Sequence, residues 1–324
     1  MTIEELHALH VPARDLPPPQ TISAQARAVL GAPVMDGVPY PPLDDAEAWR
    51  SYVVGANQGL LARFAGIEDH IGATVEVRDV DGVTVYDITP PGADPDRIQL
   101  DVHGGALVMG SGECCRAMGV AAAARAGAHT WSVDYRMPPD HPYPAAVDDC
   151  LSVYRALLRD VDPGSIAVGG ASAGGNIAAA MILRARDEGL PLPASAVLIS
   201  PELDLTESGD SFQTNLGVDS VLRRSLRDAN ELYANGHDLT DPYVSPLFGD
   251  FTKGFPPTFV QAGTRDLFLS NAVLMHRALR RAGLDAELHV FEAMPHGGFM
   301  GAPEDQELAQ EVRRFVADHW RPRR

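Results

Sequence analysis

Cysteine is scarce in this sequence, with Cys114, Cys115 and Cys150 the only three in 324 residues. A low, odd count excludes a disulfide framework and fits a reducing compartment. Two of the three are neighbours, and none forms a CxxC pair with zinc spacing, so no metal centre is expected. Positive charge is also short: 26 Lys plus Arg against 44 Asp plus Glu leave a net −18. That sign repels phosphate backbones and anionic lipid, which argues against nucleic-acid and membrane partners. Long apolar runs are missing too, and none approaches the roughly 18 residues of a membrane span. The opening MTIEELHALH carries acids where a signal peptide needs a basic flank and an apolar stretch, so a cytoplasmic protein is expected. Internal repeats and low-complexity tracts are absent. What remains, 45 % hydrophobic and 22 % charged, is an ordinary globular composition, long enough to bury a substantial core.

The pattern along the chain divides it. Residues 1–70 hold a short amphipathic run, a Pro17-Pro18-Pro19 break, a helical pattern over 22–30 and a second break at Pro39-Tyr40-Pro41-Pro42. Asp44 is placed to cap a helix running through Trp49 and Tyr52 to Phe64. This is a helical arm, too short and interrupted to bury a core of its own. From residue 74 the period becomes two. Segments 74–80 and 83–88 alternate around Asp81-Gly82, a strong hairpin signal. Strand patterns at 98–102, 130–135, 165–169, 196–200, 258–262 and 287–291 then alternate with helical ones at 113–127, 144–159, 173–188, 270–283 and 304–319. Such alternation predicts βαβ crossovers and a mainly parallel sheet covered by helices on both faces. Residues 203–255 break the rhythm, with no strand and one helical stretch at 220–234. An insertion of this size commonly covers something functional, and with the arm it is expected to form a helical cap. The catalytic core is then 71–202 plus 256–324.

Chemistry-bearing residues fall at the strand ends. Gly170-Ala171-Ser172-Ala173-Gly174 fits G-x-S-x-G, follows an apolar strand and opens an Ala-rich helix, the context of a nucleophile elbow. Small neighbours suit a strained strand-to-helix turn. His103-Gly104-Gly105 ends the 98–102 strand, and its glycines expose backbone N–H groups as an oxyanion hole requires. A serine hydroxyl needs a base. Five histidines follow Ser172. His276 and His289 lie inside elements, His319 near the end of the last helix and His237 in the insertion. His296 sits in the loop after the 287–291 strand, where α/β active sites collect, and is the expected base. Asp266 follows the 258–262 strand one βα unit earlier and is the expected orienting acid, ahead of Asp241, Asp285 and Glu292.

Together these motifs resemble the hormone-sensitive-lipase-like family of α/β-hydrolases, bacterial esterases with HGGG and GDSAGG signatures. The resemblance runs from residue 98 to the C-terminus. It is most specific at 103–106, at 170–176, at 294–299, and at 134–146, where the family's DYRLAPEHPFPAA appears as DYRMPPDHPYPAA. Two departures stand out: Ala106 replaces the third glycine of HGGG, and Ala171 stands where relatives have Asp or Thr. The resemblance implies an α/β-hydrolase fold with a helical cap, oxyanion donors at Gly104, Gly105 and Ala173, no cofactor, and a homodimer through an edge strand or the last helix. Ala106, Leu267, Phe299 and Phe212 are candidates for the substrate pocket. Cys114-Cys115 lies close after the oxyanion loop, where a pocket-lining thiol would confer sensitivity to thiol reagents. The activity implied is that of a serine carboxylesterase for small to medium acyl esters, through a Ser172-His296-Asp266 triad and an acyl-enzyme. A lactone hydrolase or an acyltransferase needs the same residues. A non-catalytic small-molecule receptor on this fold can dispense with the histidine, which is present here.

Overall fold

The computed structural model describes residues 8–34 and 37–320. The arm contributes α1 (Ala24–Leu30), α2 (Ala46–Arg63) and α3 (Ile67–Ile71). Ser23 caps α1, its Oγ accepting from Ala26 N. Its own N–H and hydroxyl donate to the two carboxylate oxygens of Glu304, at 2.6 and 2.8 Å, 281 residues away. The cap of α2 is Asp45 rather than the expected Asp44. Asp45 N donates to Pro42 O, so the chain enters the helix one residue later, and its carboxylate takes Ala48 N at 2.9 Å.

The sheet begins with the hairpin β1 (Thr74–Val80) and β2 (Val83–Thr89). Its two turn residues, Asp81 and Gly82, have φ of 52° and 85°, the left-handed pair of a tight turn. The rest alternates: β3 (Ile98–Val102), α4 (Glu113–Ala126), β4 (His129–Asp134), α5 (Ala145–Asp160), β5 (Ile166–Ala171), α6 (Ala173–Asp187), β6 (Ser195–Ile199), α7 (Ser211–Thr214), α8 (Arg227–Ala234), β7 (Thr258–Gly263), α9 (Leu269–Arg281), β8 (Ala286–Phe291) and α10 (Pro303–His319). One eight-stranded sheet results, ordered β1-β2-β4-β3-β5-β6-β7-β8. β1 pairs antiparallel with β2, and β2 with β4; every later pairing is parallel. This is the α/β-hydrolase fold expected from the sequence.

The two faces of the sheet bury different helices because alternate strand residues point opposite ways. From β5, Ile166 and Val168 join α5, α6 and α9 in the largest core, whereas Ala167 meets Val312, Phe315 and Val316 of α10. α4 packs Cys115, Val120 and Ala123 against Tyr86 and Ile88 of β2.

Two features position the site. From β3 the chain steps outward to β4, then crosses back to β5 on the other side of β3. This reversal leaves a crevice at the C-terminal ends of β3 and β5, the usual place for a ligand in such sheets. Second, arm and insertion meet above those ends. Trp49 of α2 packs with Phe212, Leu226 and Ala229 from the insertion and with Ala106, Val108, Leu267 and Phe268 from strand-end loops. Inside the insertion the expected 220–234 helix starts only at Arg227. The Asp219 carboxylate takes Val221 N and Leu222 N, so the preceding residues form a turn instead of a first helical turn. Among the described residues, no helix is long and apolar enough to cross a membrane.

Candidate active site

The fully buried run of β5 ends in a sharp turn at Ser172, whose φ of 57° and ψ of −125° lie outside the regions favoured by L-residues. The turn is held from three sides: Ser172 N donates to Ile199 O at 2.9 Å, and Ser172 O accepts from Gly175 N at 2.9 Å and Glu202 N at 3.1 Å. The small neighbours are sterically required. A Cβ at Gly174 would stand 1.9 Å from Val102 O, so α6 reaches the end of β3 only because that side chain is missing.

The loops after β7 and β8 bring Asp266 and His296 to this turn. His296 Nε2 lies 2.9 Å from Ser172 Oγ, and its Nδ1 lies 3.2 Å from Asp266 Oδ1. With Nδ1–H donating to the carboxylate, Nε2 is left to accept from the hydroxyl. Asp266 is fully buried, and Phe268 N donates to the same Oδ1 at 2.9 Å. Phe268 also sets its ring edge-on to the imidazole, centroids 5.0 Å apart. Burial alone would lower the His296 pKa. The charge and hydrogen bond of Asp266, then the charges of Asp219 and Glu202, outweigh burial and raise it.

The loop after β3 lies against the same turn: a Cβ at Gly104 would meet Ala171 O at 2.9 Å and Ser172 Cβ at 3.3 Å. His103 fixes this loop. Its Nδ1–H donates to Gly104 O at 2.8 Å, its ring stacks on Tyr135 at 4.1 Å, and Tyr135 OH donates to His103 O at 2.8 Å. Burial pushes the His103 pKa down to about 4, so the ring is neutral at pH 7. Ala173 opens α6, so its amide is one that the helix leaves without an intrahelical acceptor. Gly104 thus packs against the turn at Ser172 and Ala173 follows it directly, with Gly105 next along the loop after β3.

The α/β hydrolase fold family matches residues 99–300, from β3 through the His296 loop. The chain belongs to that family, among its hormone-sensitive-lipase-like members. Esterase E25 superposes over 97 % of this chain and 99 % of its own with a TM-score of 0.91 and 35 % identity. An esterase from the bacterial hormone-sensitive lipase family superposes over 92 % and 99 % with a TM-score of 0.76 and 31 % identity. An acetyl-hydrolase from Streptomyces hygroscopicus is 36 % identical over 208 residues, 64 % of this chain and 69 % of that one. This hydrolase is accordingly a carboxylic ester hydrolase.

Of the residues expected in the hydrolase's pocket, Ala106, Leu267 and Phe212 pack together with Trp49. Phe299 lies in a cluster with Ile22, Ala26, Ala293, Met294 and Ala302 that holds none of the other three. Its loop is folded back because the Asp305 carboxylate collects Phe299 N and Gly301 N. Both cysteines after the Gly104-Gly105 loop are buried: Cys114 Sγ lies 3.2 Å from Asn57 O of α2, and Cys115 Sγ 3.5 Å from Ser132 Oγ.

Sequence reasoning missed how the insertion binds the Asp266 loop. Ser211 Oγ donates to Leu267 O and accepts from Ser270 N, while Ser211 N donates to Ser270 Oγ. Asn215 Nδ2 donates to Asp266 O at 2.8 Å. Asp219 Oδ2 accepts from Leu267 N at 2.9 Å, and both its oxygens lie 3.3 Å from His296 N. Their spacing of four, 211, 215 and 219, is the one visible signal.

Proposed function

We propose that this hydrolase is a serine carboxylesterase acting on small to medium acyl esters, with Ser172 as nucleophile, His296 as base and Asp266 as orienting acid. One observation carries the reading: the relay from Ser172 Oγ to His296 Nε2 at 2.9 Å and from Nδ1 to Asp266 at 3.2 Å, at the C-terminal ends of three strands. Ser172 Oγ attacks the ester carbonyl as Nε2 takes its proton. The charge appearing on the carbonyl oxygen is met by the amides of Gly104, Gly105 and Ala173, each such donor typically worth about 3 kcal/mol of barrier. His296 then gives its proton to the leaving alcohol, and water repeats the sequence on the acyl-enzyme. Asp266 holds the imidazole in the required tautomer and balances the imidazolium. The buried aromatic cluster of Trp49, Phe212 and Phe268, where the arm and insertion pack over the strand ends, supports short to medium acyl groups over an open lipid-binding face. The enzyme is proposed to work in the cytoplasm, as a homodimer.

The test is hydrolysis of p-nitrophenyl esters from acetate to palmitate, with one simple lactone and Ser172→Ala in parallel. Activity highest on short chains and abolished in a folded Ser172→Ala variant is the expected result. Preference for the lactone moves the function to ring opening by the same residues. Turnover by Ser172→Ala equal to wild type removes the assignment.

A further inference from the structure

Asp219 stands at the centre of the contacts between the insertion and the two catalytic loops. Its side chain is fully buried, where an ionised carboxylate is costly without partners. Among the described residues, every hydrogen-bond partner of its carboxylate is an N–H donor, and they come from three segments. Val221 N at 2.8 Å and Leu222 N at 3.2 Å belong to its own turn, Leu267 N at 2.9 Å to the Asp266 loop, and His296 N at 3.3 Å to the histidine loop. A carboxylate with two oxygens and several lone pairs can serve all four; an amide cannot.

We propose that Asp219 is a positioning residue of the reaction, its single carboxylate fastening the Asp266 loop to the His296 loop and setting a second negative charge beside the imidazole. The proposal rests on the triad reading above and deepens it. Asp266 and His296 lie on different strand ends, so their 3.2 Å contact depends on how the two loops sit relative to each other. Asp219 grips both backbones one residue from Asp266 and at His296 itself. Misplacement by about 1 Å at a reacting pair costs on the order of a hundredfold in rate. The titratable groups facing the imidazole are then Asp266, Asp219 and Glu202; burial opposes the charge of Asp266 and Asp219 and keeps Glu202 protonated until about pH 8.

Asp219→Asn is the variant to make, because it keeps shape but removes charge and turns two donors toward the waiting amides. The expected result on p-nitrophenyl butyrate is a kcat lower by about ten- to a hundredfold, KM within about threefold, and an acid limb of kcat/KM moved toward lower pH. A merely structural role would lower the unfolding midpoint and leave the acid limb where it is. Asp219→Glu is the second variant and covers the case of an unfolded Asn form. With charge kept but reach altered, kcat falls while the acid limb stays at its wild-type pH. Wild-type kcat and pH profile in either folded variant, or a Glu form whose acid limb moves, overturns the proposal. Ser172→Ala run alongside separates the two readings. If it turns over normally, the triad assignment fails. If it is dead while Asp219→Asn matches wild type, only the role of Asp219 fails.

Discussion

As the proposed base, His296 must be neutral to take the serine proton, yet its surroundings favour the charged ring. The Asp266 and Asp219 carboxylates raise its pKa against burial, so the acid limb of kcat/KM should lie above the ordinary histidine value of about 6.5. Initial rates between pH 5 and 9 check this, with activity falling on the acid side and level on the alkaline side. Asp266→Asn removes the leading charge and the tautomer lock together. It should lower kcat by roughly 10⁴-fold and move the limb toward lower pH. Glu202 is a different case. Burial is the main cause that lifts its pKa from 4.5 to about 8, so the folded protein keeps a proton that the unfolded chain has released. The folded value exceeds the unfolded one. The associated stability is therefore full below the ordinary glutamate range and lost as pH rises through about 8. Glu202→Gln should therefore melt higher than wild type at pH 9 and nearly level with it at pH 5. Asp101, raised by burial to about 7, leaves some of the same slope in the variant.

At the scale of elements, the junction of β3 with α6 is the least tolerant contact. Gly174→Ala drives a methyl into the carbonyl of Val102, a backbone atom that cannot rotate away. We expect a loss of about 3 kcal/mol, the upper range for overpacking, in urea unfolding, together with loss of esterase activity as the oxyanion loop moves. This junction was largely legible in the sequence, since G-x-S-x-G and His103-Gly104-Gly105 each sit at the end of an apolar strand run. The Asp81-Gly82 turn and the alternating core elements were legible for the same reason: their periods and turn residues are local. Strand order was not, because nothing in β4 announces that it lies outside β3. Helices α3 and α7, of five and four residues, are too short to show a period. Asp219 was hidden for a related reason. Its partners at Leu267 and His296 are 48 and 77 residues away, and they are backbone amides, which carry no sequence signature.

For the molecule as a whole, charge is the dominant long-range term. Many arginines are already committed to ion pairs, among them Arg136 with Asp149 and Arg116 with Glu68, yet the chain still carries −18. Self-repulsion of that size is weakened by salt, whose screening length is about 8 Å near 0.15 M. Thermal midpoints should therefore rise with sodium chloride from low ionic strength; a fall would mean that the ion pairs outweigh the repulsion. The tie between Ser23 and Glu304 has a consequence in time. A ribosome adding about 5–20 residues per second needs roughly 15 to 60 s to cover the 281 residues between them. For that interval α1 has neither its carboxylate partner nor the Phe299 and Ala302 surface against which Ile22 and Ala26 pack. A segment made well before α10 is thus secured only once α10 is made, and a nascent chain stalled before α10 would leave α1 without these partners.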